Sequence, residues 1–155
     1  MRVFMSGETE WTKNGRYTGI TDIELTPAGI NQVTATGTQL VGPGKLIDPA
    51  MITRVWVSPR KRAQHTCQLI FSGADDMADK ITLTEDIAEW DYGDYEGLVV
   101  GEIRARRKEK GLDGEREWNI WQDGCEGGEY FFPMLCRVGS LMDAVNGLLI
   151  GRGDP

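Results

Sequence analysis

Few side chains in this sequence have both the type and the setting for chemistry. His65 is the single histidine among 155 residues, which excludes any mechanism needing two. A lone histidine on a helix is more often a packing or surface residue than a base. Ser6 carries a hydroxyl, but a serine is a poor nucleophile without an adjacent base, and no histidine lies near it in sequence. Cys67, Cys125 and Cys136 are odd in number and lack CxxC spacing, so neither a disulfide framework nor a zinc site is expected. Cys125 sits among glycines and acids, where its thiol should be raised in pKa and inert. Arg62, last of the cations in Ser58-Pro59-Arg60-Lys61-Arg62, suits a bound anion, or else a surface pairing with an acid.

The rest of the composition bounds the class. Hydrophobic residues make up 40% and charged residues 26%, a globular mix long enough for one domain with a sizeable core. No apolar run approaches the ~20 residues of a membrane span, and the first residues lack the h-region of a secretory signal. A cytoplasmic protein with reduced thiols and no membrane partner is expected. The net charge of −7 disfavours nucleic acid as a partner. The basic residues Arg104, Arg106, Arg107, Lys108 and Lys110 are interrupted by acids and read as a solvated helix face. The terminal Arg152-Gly153-Asp154 tripeptide carries no weight.

The elements that must position these residues follow an α/β order. Residues 2–5 read as a buried strand entering a loop over residues 8–25, long enough to expect function of it. Thr26-Pro27 is a cap followed by proline at the first helical position, with Ile30, Val33 and Leu40 near one face. Residues 53–57 read as a strand. Ser58-Pro59 repeats the cap-and-proline signal for a helix buried through Ala63, Cys67 and Ile70. Residues 81–84 form another strand, and residues 99–110 a basic, exposed helix. Leu135, Val138, Leu141, Met142, Val145 and Leu149 make a wide apolar stripe at helical spacing. No repeat or linker divides residues 1–155, so a single domain is expected.

Three segments in register carry a resemblance. They are Gly7-Glu8-Thr9-Glu10-Trp11 with Arg16-Tyr17-Thr18-Gly19-Ile20-Thr21-Asp22 and Leu25-Thr26; Ser58-Pro59-Arg60-Lys61-Arg62-Ala63 with Thr66; and Glu89-Trp90-Asp91-Tyr92-Gly93-Asp94-Tyr95-Glu96-Gly97. In order and spacing they resemble the histidine phosphatase superfamily, whose fold is phosphoglycerate mutase-like: a three-layer α/β domain with a mostly parallel sheet. The tract from Trp118 to Glu129 is similar to the fungal sedoheptulose-bisphosphatase branch. The resemblance implies that Arg62 binds phosphate and that Glu89 protonates the leaving group or survives as an inherited acid. It implies that Ser6, Thr18, Gly19, Tyr92 and Trp11 line the substrate mouth, and it calls for no cofactor and no metal.

The departures shape the functional expectation. Met5-Ser6 stand where the family has Arg-His, so the nucleophile and one phosphate-binding arginine are replaced. The family's second catalytic histidine and fourth strand would fall beyond Pro155. The first expectation is a degenerate family member whose pocket, rimmed by Met5, Trp11, Trp90, Tyr92, Trp118 and Trp121, is repurposed for a non-phosphorylated small molecule. The alternatives are a sugar-phosphate phosphatase with an altered mechanism, or a non-catalytic subunit. A homo-oligomer or a partner chain completing the sheet is also expected.

Overall fold

A computed structural model describes residues 6–74 and 76–150, with side chains through residue 140. The strand expected at residues 2–5 and the Arg152–Asp154 tripeptide lie outside the described residues. So do the side chains of Leu141, Met142, Val145 and Leu149.

The chain enters through Gly7 into a loop whose neck is closed by an antiparallel bridge between Thr9 and Leu25 and by the Thr26 N–H donating to the Glu8 carbonyl (2.9 Å). Inside the loop, α1 (Glu10–Lys13) interrupts the continuous coil expected there. Its cap is reciprocal: the Thr12 N–H donates to the Thr9 hydroxyl and the Thr9 N–H to the Thr12 hydroxyl.

Helix α2 (Pro27–Leu40) starts where the sequence placed it, with the Gly29 N–H donating to the Thr26 hydroxyl at 2.9 Å. Its buried face consists of Gly29, Val33 and Gly37 rather than of large side chains. A Cβ on Gly37 would lie 2.7 Å from the Ile70 carbonyl oxygen, so glycine lets α2 close on the next helix.

Strand β1 (Val55–Val57) pairs in parallel with β2 (Ile81–Leu83), in register Val55 to Ile81. Helix α3 (Lys61–Ile70) makes the connection such a pair requires. It begins two residues later than the Ser58-Pro59 signal suggests. The Ser58 hydroxyl accepts only from the Arg60 N–H (3.4 Å), and Arg60 is the N-cap without a capping side chain. The inner face holds Cys67 and Ile70 as expected, with Arg62 and Thr66 beside them.

The second half wraps a cluster of Trp90, Tyr95, Ile103, Trp118 and Cys125. Helix α4 (Val100–Glu109) covers it and is not exposed throughout: Ile103 and Arg107 are buried. Of its remaining cations, Arg104 pairs with Glu117 and Arg106 with Asp94, and Lys108 is exposed. Helices α5 (Ile120–Asp123) and α6 (Phe131–Ile150) follow. No helix among the described residues is long and apolar enough to cross a membrane.

Candidate phosphoryl site

The site forms where the loop after Arg16 meets the N-terminal end of α3. Arg62 is 7% exposed, and its guanidinium is committed to main chain. Nη1 donates to the Thr21 carbonyl (3.0 Å) and Nη2 to the carbonyls of Thr18 (3.1 Å) and Gly19 (2.9 Å). Among the described residues Nε and the second Nη1 hydrogen have no such partner. All three partners are neutral, so the positive charge is compensated only by carboxylates further off. Burial pushes the guanidinium below its ordinary pKa, and Glu89 and Glu96 oppose that shift.

Glu96 holds the same loop from its other side. Its carboxylate accepts from the Gly19 N–H (2.9 Å to either oxygen) and from the Thr21 N–H (3.0 Å). The loop is thus gripped by a cation on its carbonyls and an anion on its amides. Gly19 is fixed by space, since a Cβ there would lie 2.2 Å from the Trp90 carbonyl oxygen. Thr18 and Gly19 therefore serve through backbone atoms, and the Thr18 hydroxyl turns away to the Arg16 carbonyl (3.2 Å).

Glu89 is exposed, and its Oε1 accepts from the Trp90 N–H (2.9 Å) and the Tyr92 hydroxyl (3.2 Å). Burial, with the nearby carboxylate, drives the Tyr92 phenol far above its usual range, so it stays a donor to Glu89. The Tyr92 ring lies on that of Tyr17, centroids 4.7 Å apart.

Thr66 ties the beginning of the chain to α3: its hydroxyl donates to the Arg62 carbonyl (2.7 Å) and accepts from the Gly7 N–H (3.0 Å). Ser6, next to Gly7, is exposed, and its hydroxyl donates to the Gly7 carbonyl at 3.3 Å. Among the described residues it has no base.

Other expected mouth residues lie elsewhere. The Trp11 ring rests on Gly97, where a Cβ would come within 2.8 Å of it. Trp90 and Trp118 belong to the core, their indole N–H groups donating to the carbonyls of Glu129 (2.9 Å) and Gly124 (3.0 Å). Trp121 packs edge-on against Trp90 and Phe131. Of the aromatic rim expected around a repurposed pocket, Trp90 and Trp118 are interior packing, because their indoles are drawn to carbonyls inside the fold, while Trp121 is largely exposed. Cys125 is fully buried, and its thiol is pushed up to about 12, by burial first and by Asp91 and Glu129 after it. Among the described residues no group of His, Cys, Asp and Glu could hold a metal. A cavity of about 470 Å³ opens at the opposite end of α3, lined by Gly42, Lys45, Asp48 and Lys80 among others, and includes none of these site residues.

A buried arginine on a helix after a parallel strand lies across a glycine loop from a carboxylate, within an α/β fold of the phosphoglycerate mutase-like kind. The family model of the histidine phosphatase superfamily (branch 1) matches residues 6–148, and the chain belongs to that superfamily. It is 45% identical over 126 residues to sedoheptulose 1,7-bisphosphatase of Saccharomyces cerevisiae, covering 79% of this chain and 46% of that protein. It is 39% identical over 123 residues to an acid phosphatase of Mycobacterium tuberculosis, covering 79% of this chain and 51% of the other. The alpha-ribazole phosphatase structure from Shigella flexneri superposes with a TM-score of 0.72 at 25% identity, over 93% of this chain and 65% of that one. The chain spans about half the length of these curated relatives.

Proposed function

We propose that this chain carries the phosphate-binding and proton-donating part of a sugar-phosphate phosphatase site, with a substrate of the sedoheptulose-bisphosphate kind. The observation that carries the reading is Arg62. It is nearly buried, oriented by three neutral carbonyls, and keeps two N–H groups uncommitted among the described residues. A guanidinium so held loses little freedom on taking up phosphoryl oxygens, and it supplies the charge stabilisation on which phosphoryl transfer depends. Glu89, exposed beside it and hydrogen-bonded to Tyr92, is the group that gives a proton to the leaving oxygen as the P–O bond breaks, while water attacks phosphorus and carries the phosphoryl group away as inorganic phosphate. The relatives named phosphatase support the same reading.

Ser6 favours a second reading. It occupies the position of the family's histidine without a base, which suits a site that retains an anion or a neutral ligand but has lost turnover. Hydrolysis of sedoheptulose 1,7-bisphosphate and of 4-nitrophenyl phosphate separates the two. The phosphatase reading expects turnover that Arg62→Ala lowers by about 10²-fold or more on both substrates and that Glu89→Ala lowers to that extent on the sugar bisphosphate. Absence of turnover, with the melting temperature still raised by inorganic phosphate in the unsubstituted chain and not in Arg62→Ala, supports the second reading.

A further inference from the structure

Arg137 on α6 is far in sequence from the segment it binds. Its Nη1 donates to the carbonyls of Glu85 (2.8 Å), Asp86 (3.3 Å) and Ala88 (2.8 Å). Its Nε and Nη2 form a two-pronged pair with the Glu129 carboxylate, at 3.2 and 2.9 Å. Glu129 in turn accepts the Asp91 N–H on Oε2 (3.0 Å), gives its own N–H to the Asp91 carbonyl (2.8 Å) and accepts the Trp90 indole on its carbonyl. The main chain is therefore fixed at residues 85, 86 and 88 on one side of Glu89 and at residue 91 on the other. Every anchor on the segment except the Trp90 indole is a backbone atom. The segment between the anchors carries Glu89, whose own carboxylate bends back onto the Trp90 N–H.

We propose that Arg137, with Glu129 as its counter-charge, is the positioning residue for Glu89. The proposal rests on the reading of Glu89 as the proton donor. An arginine that only attached α6 to the body could pair with any surface acid and would contribute little. This one spends all three of its nitrogens on three of the four residues preceding Glu89 and on the acid that holds the two residues following it. A shift of about 1 Å in a reacting group costs on the order of 10²-fold in rate, which is the scale such a clamp protects.

The test uses two leaving groups. An alkoxide leaving from a sugar phosphate needs the proton from Glu89, whereas 4-nitrophenolate leaves without it. Arg137→Met should lower kcat on the sugar bisphosphate about 10²-fold with KM within about twofold, and lower kcat on 4-nitrophenyl phosphate by less than about threefold. Glu129→Gln should show the same pattern more weakly, and Arg137→Lys should recover part of the loss. Equal losses on both substrates, a change confined to KM, or no loss overturns the proposal.

If the unsubstituted chain has no turnover, the phosphatase reading fails, and the clamp is read by amide exchange instead. Arg137→Met should then speed exchange of the Trp90 and Asp91 N–H groups by about tenfold or more while Ile103 keeps its protection. Unchanged or uniformly faster exchange overturns it.

Discussion

Two arginines of this molecule are equally hidden, at 7% exposure each, and do different work. Arg107, on α4, is closed out: its Nε meets the Asp113 carboxylate at 2.8 Å and its Nη1 the Tyr95 hydroxyl at 2.8 Å. Tyr95 passes the contact on to Glu126 at 2.9 Å. These partners raise the Arg107 pKa against the effect of burial. Arg62 has only neutral carbonyls in direct contact, and its pKa is lowered. Burial does not separate the two arginines; the charge of what touches them does, which fits the anion-binding role proposed for Arg62. A guanidinium that already has its carboxylate has little left for a ligand, whereas one held by carbonyls keeps both its orientation and its appetite for an anion.

Arg107→Met tests that contrast hardest. It strands the nearly buried Asp113 and should cost about 3–5 kcal/mol in urea unfolding. The same change at Arg62 strands no contacting charge and should cost about 1–3 kcal/mol, the scale of buried carbonyls left unpaired, while abolishing phosphate protection. Equal losses at the two positions would erase the distinction.

The loop can be broken without touching either charge. Gly19→Ala forces a carbon against the Trp90 carbonyl at 2.2 Å, so the loop must leave the Arg62–Glu96 grip. A stability loss of about 1–3 kcal/mol is expected, as for overpacking, together with weaker phosphate protection. A gain or no change in either measurement would place the cost elsewhere.

The smallest effect lies in the core beside Arg107. The Cys125 thiol is raised to about 12 in the folded state from an ordinary value near 9. The unfolded chain therefore loses its proton first. The stabilisation is complete below pH 9 and declines as pH rises toward 12, to which the raised phenols of Tyr92 and Tyr95 add. Urea midpoints between pH 8 and pH 10.5 should fall less steeply in Cys125→Ala than in the unsubstituted chain. Parallel curves would sink that assignment.

What could be read from the sequence was what is local. Thr26-Pro27 begins α2 because a cap and a proline act over three residues. Ser58-Pro59 misled by two residues because its serine oxygen is spent on Arg60 before the helix begins. Arg62 and Glu89 are legible through motif spacing; the structure sets Arg62 against the loop and Glu89 on the segment with Trp90 and Tyr92. Glu96 lay inside a quoted motif, yet its partners are amides some 75 positions away in sequence, which no spacing displays. Arg137 was invisible for the same reason, since it binds carbonyls that every residue type possesses. The burial of Arg107 depends on Tyr95 and Asp113 meeting it across the cluster, so a run of cations could only be read as solvated.

The grip on the loop from Thr18 to Thr21 has a consequence for how this protein can change over time. Both Arg62 and Glu96 read main-chain atoms alone, while Gly19 and the buried Thr18 are constrained by space. Ile20, half in solvent, contributes no side-chain atom to the hold. Sequence drift at that position leaves the geometry of the proposed anion site intact while altering what surrounds it. The mouth can thus be rewritten one residue at a time beneath a constant charge, a separation of heritable variation from function built into the hydrogen-bond pattern itself.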